Sequence, residues 1–141
     1  MSSLVRHAAV VETPLSVDRL LAVVSDDSVG GIGLFVGVVR DTDEGQGVQS
    51  LDYTAHPTAE QRLRACAEHV AAQHDVVSVA VEHRIGHLVV GDLAVVVAVV
   101  AVHRAEALEA CRQLIDDLKA QVPIWKEQAF AAGGSEWVGL L

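Results

Sequence analysis

The chain predicts an α+β fold with substantial antiparallel character, and three observations carry that reading. Strand-like and amphipathic helical segments mix without the βαβα rhythm that builds a parallel sheet. Two Val-rich runs, Val76 to Ile85 and Leu93 to Val102, flank a segment containing Gly86 and Val90-Gly91-Asp92, which suits an antiparallel pair joined by turns. Of the 141 residues 51% are hydrophobic but only 4% aromatic, so Val, Ala and Leu must fill the core of what is expected to be one domain, residues 1–141.

Taken in order, Leu4 to Glu12 alternates loosely and predicts a strand. Pro14 and Ser16 open a short helix with Val17, Leu20, Leu21 and Val24 on one face. Asp26-Asp27-Ser28 with Gly30-Gly31 predicts a turn, and Ile32 to Arg40 a strand entering a polar loop, Asp41 to Gly47, that is expected to be mobile. Val48 to Ala55 predicts another strand; Pro57 stands where a helix can begin, with Leu63, Cys66, Val70 and Ala71 on its apolar face. A third helix is expected over Ala105 to Gln121, from the stripe Leu108, Cys111, Leu114, Ile115 and Leu118. Pro123 ends it by disfavouring helical geometry at Val122. The tail, Ile124 to Leu141, predicts one or two short strands separated by Gly133-Gly134.

Composition excludes several functions. The formal charge of -9 argues against nucleic-acid binding, which needs a surplus of Lys and Arg. The longest apolar run, Leu93 to Val102, is about half the roughly 20 residues a membrane-crossing helix needs, and the N-terminus carries no signal-peptide pattern. Cys66 and Cys111 fall in helices at no disulfide or metal spacing, so they read as packing residues in a reducing, cytoplasmic setting. No HxxxH pair falls on a predicted helix, no P-loop or GxSxG occurs, and Gly30-Gly31-Ile32-Gly33 lacks the context of a dinucleotide fingerprint, so neither metal nor nucleotide is called for.

Four positions point to anion chemistry. The chain has two lysines, Lys119 and Lys126, on either side of Pro123, where a turn can bring both ammonium groups together. Two close lysines depress each other's pKa and can bind an anion, polarise a carbonyl or act as acid or nucleophile; alternatively Lys119 offsets the helix dipole. His103-Arg104 follows the most apolar strand and precedes a helix, a place for a phosphate, or else it only caps the strand end in solvent. Arg40 ends a strand at the flexible loop and either reaches into a site or pairs with Asp41 or Asp43. Arg84 reads as a salt-bridged strand residue.

Phe35-Val36-Gly37-Val38-Val39-Arg40, His83-Arg84-Ile85-Gly86, Val90-Gly91-Asp92, Ala101-Val102-His103-Arg104, and Leu118-Lys119 through Pro123-Ile124-Trp125-Lys126-Glu127 stand in the order seen in one family. From about Val29 to Val138 the chain resembles the large, catalytic subunit of molybdopterin synthase. That resemblance implies an α/β hammerhead fold with an added antiparallel β subdomain. It implies a homodimer of large subunits flanked, as a heterotetramer, by small ubiquitin-like sulfur carriers, and no cofactor. The reaction it implies is sulfur transfer from the small subunit's Gly-Gly thiocarboxylate to cyclic pyranopterin monophosphate, which forms the dithiolene of molybdopterin in molybdenum cofactor biosynthesis.

By the same match Lys119 and Lys126 are the expected catalytic residues. Arg40, His103 and Arg104 would hold the phosphate and pterin oxygens by charge-assisted hydrogen bonds, with both protomers contributing. Val38, Val39, Glu127 and Gln128 would line the pocket with them. Three departures leave fewer positive charges: Val38 where many relatives carry Lys, Glu127 where a basic residue is common, and no family arginine downstream of Trp137. The competing readings are a non-enzymatic sensor of an anionic metabolite and a module that only docks a ubiquitin-like partner.

Overall fold

The computed structural model describes residues 3–43, 45–130 and 133–138. Its elements are β1 (Val5–Val11), α1 (Val17–Val24), β2 (Gly31–Val38), β3 (Thr42–Asp43), β4 (Gln46–Ala55), α2 (Ala59–Gln73), β5 (Ser78–Arg84), β6 (Gly86–Val89), β7 (Leu93–Ala101), α3 (Arg104–Gln121), β8 (Ile124–Phe130) and β9 (Ser135–Val138). The α+β class holds: one sheet packs between helices, and a second, antiparallel sheet stands beside it.

The first sheet runs β1-β5-β7-β2, with β1 parallel to β5 and the other pairs antiparallel, including the expected β5–β7 pair. β7 is apolar throughout because it is covered on both faces. Val95, Val97 and Val99 meet the core under α2 and α3, while Val96, Ala98 and Val100 meet the cluster under α1. α1 starts where Ser16 caps it: the Ser16 Oγ accepts from the Arg19 backbone N–H at 3.2 Å. The Gly30-Gly31-Ile32-Gly33 run has a packing reason. A Cβ on Gly33 would lie 2.3 Å from the Ala107 carbonyl oxygen, so its absence lets α3 sit directly on β2.

In the second sheet β4 is central, with β8 on one edge and β3 and β6 on the other, and β9 lies beyond β8. Three expectations change here. The supposed mobile loop Asp41 to Gly47 contains the β3–β4 hairpin, turned at Gly45 with φ 81°; Glu44 lies outside the described residues. Gly86, read as part of a turn, opens strand β6 with φ 93°, and the turn itself falls at Gly91. On α3 Leu108 is 57% exposed, because Ala107 and Ala110 take the inward positions against β2 and β7. In the tail, β8 and β9 are the two expected strands; residues 131–132 and 139–141 lie outside the described residues. Among the described residues, no helix is long and apolar enough to cross a membrane.

Candidate active site

Where the two sheets meet, a cleft of about 320 Å³ is lined by Gly37, Val38, Val39 and Arg40, by Leu51 and Tyr53 of β4, by His83, and by Ala94, Val95, Lys119 and Lys126. Each wall is held by backbone bonding. Beyond β2, the Val39 N–H donates to the Asp92 carbonyl (2.9 Å) and the Val39 carbonyl accepts from Gly91 (2.8 Å), which clamps Val38 to Arg40 along the rim. At the last turn of α3 Leu118 is buried and Lys119 emerges into solvent. After Pro123 the chain enters β8, where Lys126 lies directly across from Tyr53 of β4. Strand alternation then puts Leu51, Tyr53, Lys126 and Gln128 on one face.

The cleft is cationic, with the carboxylate of Asp43 beside it. Arg40 Nη2 lies 3.3 Å from Asp43 Oδ1, and the buried Gln128 donates from Nε2 to Asp43 Oδ2 at 2.7 Å. That amide bond, with the charges of Lys126 and Arg40, holds Asp43 below the usual carboxylate range. Half-burial pulls Lys126 below the usual lysine range; Lys119 and Arg40 push the same way, while Asp43 and Glu136 oppose them. Burial sends Tyr53 up to about 12 and His83 down to about 4, so both are neutral at physiological pH.

The sequence candidates divide. Val38, Val39, Arg40, Lys119 and Lys126 come together in the cleft, and Gln128 stands behind it through Asp43. Glu127 does not line it. It faces the other side of the sheet opposite Asp52, where the Ser135 hydroxyl donates to its Oε2 at 3.0 Å, because neighbours on a strand point to opposite faces. His103 and Arg104 are not in this cleft either: they are exposed at the start of α3, some 15 residues and roughly 22 Å of helix from Lys119. Arg84 pairs with Asp92 at 3.6 Å, the salt-bridged role its strand suggested.

Tyr53 and His83 also line the cleft without having been singled out for it, while Asp43 is the partner the sequence offered Arg40. A larger hollow of about 490 Å³ lies between α2 and α3, lined by Arg62, Cys66, His69 and Asp117 among others; it gathers one Arg and no Lys, whereas the smaller cleft gathers Arg40, Lys119 and Lys126. Among the described residues no group of three His, Cys, Asp or Glu is placed to hold a metal ion.

A family model described as "MoaE protein" matches residues 10–121. The chain is 46% identical to "Molybdopterin synthase catalytic subunit 1" of Mycobacterium tuberculosis over 134 residues, which is 94% of this chain and 90% of that protein. It is 40% identical to the human "Molybdopterin synthase catalytic subunit", over 89% of this chain and 66% of the human protein. Among solved structures, that of molybdopterin synthase from Staphylococcus aureus superposes with a TM-score of 0.87 at 30% identity, covering 94% of this chain and 96% of that one.

Proposed function

The chain belongs to the MoaE protein family, and on that premise we propose that it is the catalytic subunit of a molybdopterin synthase whose chemistry takes place in the cleft between Arg40, Lys119 and Lys126. The observation that carries this is the meeting of the only two lysines in the chain with Arg40 on one concave, partly apolar surface. Three cations on one concave surface make a place for two anionic reactants: a thiocarboxylate donor and a pterin phosphate acceptor.

In this reading the small subunit's Gly-Gly tail enters as a thiocarboxylate, and Lys119, standing free at the rim, orients it. Lys126, half-buried and held below its ordinary pKa by that burial, stabilises the negative charge that develops as sulfur attacks and donates a proton to it. Among the described residues Arg40 pairs with Asp43, a largely exposed contact worth little in water, and can turn to the substrate phosphate. In each transfer the sulfur replaces an oxygen on the pterin side chain, and water then hydrolyses the resulting acyl–sulfur bond, leaving the sulfur on the pterin and a carboxylate on the tail; two transfers complete the dithiolene.

His103 and Arg104 keep a role in this scheme as residues of a second copy. The exposed N-terminus of α3, with no side-chain cap on its first N–H groups, suits a phosphate presented across a homodimer. The test is in vitro sulfur transfer with a thiocarboxylated small subunit and cyclic pyranopterin monophosphate. Product from the wild type supports the reading; small-subunit binding without product favours the docking module.

A further inference from the structure

Outside the cation triad, the most unusual polar group of the cleft is His83. Its ring lies 1% exposed in the wall made by β5. Nδ1 stands 2.8 Å from the Arg84 carbonyl oxygen; a carbonyl can only accept, so Nδ1 carries the proton and Nε2 presents a bare lone pair. Among the described residues that Nε2 is buried and has no hydrogen-bond partner. Tyr53 packs edge-on against the ring at 5.0 Å between centroids, fixing its plane. A buried acceptor left unpaired is costly, and its persistence at a functional cleft calls for a donor.

The cleft that His83 lines also holds two candidate donors, the ammonium groups of Lys119 and Lys126. Lys119 is the one whose charge bears on His83, and it stands exposed in the last turn of α3 on a long side chain with many rotamers. We propose that His83 is a positioning residue for Lys119: Nε2 accepts one N–H of the ammonium and leaves the other two aimed into the cleft. The ion is thereby held against the wall rather than solvated above it. A lysine alone samples many rotamers; one anchored N–H removes much of that freedom before the anionic sulfur donor arrives. A neutral histidine suits this because a protonated ring would offer no lone pair.

This inference rests on the synthase reading of the cleft. The test compares wild type, His83→Phe and His83→Gln in the sulfur-transfer assay, with small-subunit binding and melting temperature measured on each. Phenylalanine keeps a ring against Tyr53 but has no acceptor; glutamine places an oxygen near the position of Nε2. The expected result is a drop in kcat of tenfold or more for His83→Phe with KM little changed, and recovery of most of it in His83→Gln.

Equal kcat in wild type and His83→Phe overturns the proposal. So does an equal loss in both variants when both fold and bind the small subunit, since that marks a packing role. A wild type that makes no product fails the synthase reading instead. In that case the ¹⁵N shifts of His83 and the proton exchange of the Lys119 ammonium in the protein with small subunit bound still decide: a hydrogen-bonded Nε2 and a slowed ammonium are expected, and a free Nε2 contradicts the proposal.

Discussion

At Lys126 the cleft trades stability for chemistry. Burial beside Lys119 and Arg40 disfavours its charged form despite Asp43 and Glu136, so Lys126→Met is expected to raise the melting temperature by a few degrees while lowering sulfur transfer by roughly 100-fold or more. A variant that melts lower would show that the Asp43 contact outweighs burial. His83 sets an acid limit. Its pKa falls from 6.5 unfolded to about 4 folded, so the unfolded chain binds the extra proton first. Its contribution, on the order of 3 kcal/mol, is present above pH 6.5 and lost as pH falls toward 4. Urea unfolding across that range should show the loss, and His83→Phe should flatten it. The lysine pair was legible because the chain has no others. His83 was not, since a histidine in a strand of buried valines reads as core, and Tyr53 was not, since its pairing with Lys126 depends on the β4–β8 register rather than on any local pattern.

The helices and long strands were legible because their periodicity reports the number of covered faces: β7 is buried on both sides, and α3 on one. Short elements were not. β6 has four residues and starts on a positive-φ glycine, so it carries turn chemistry into a strand that exists only because β4 offers an edge. The glycine run that opens β2 escaped for a related reason: it serves a contact with α3 more than 70 residues away. Gly33→Ala would force the Ala107 carbonyl back from 2.3 Å and carry α3 with it. The expected outcome is a loss of about 2 kcal/mol or more in chemical denaturation, with weakened catalysis as Lys119 shifts. On the opposite face of the sheet the buried Glu82 is bonded by Arg19 and His7, tying α1 and β1 to β5. Removing its charge in Glu82→Gln should destabilise the fold by roughly 3 kcal/mol without changing KM, because that network lies behind the cleft.

For the whole molecule the question is where His103 and Arg104 act: the family resemblance sets them with Arg40 at the substrate, with both protomers contributing. The length of α3 separates them from Lys119 within one chain, so only a second copy can bring them to a cleft. If it does, Lys119→Ala and Arg104→Ala proteins, each inactive alone, should regain about a quarter of wild-type activity when mixed and re-associated, because half the dimers are mixed and each mixed dimer has one intact site. No recovery would confine the site to one chain. The claim beneath all of these is that this cleft transfers sulfur. Its most direct test is dithiolene formation from cyclic pyranopterin monophosphate and a thiocarboxylated small subunit, comparing the wild type with Lys119→Ala. Turnover in the wild type and its collapse in a folded, partner-binding Lys119→Ala protein is the predicted result; full turnover in that variant, or none in a folded wild type that binds the small subunit, would contradict it.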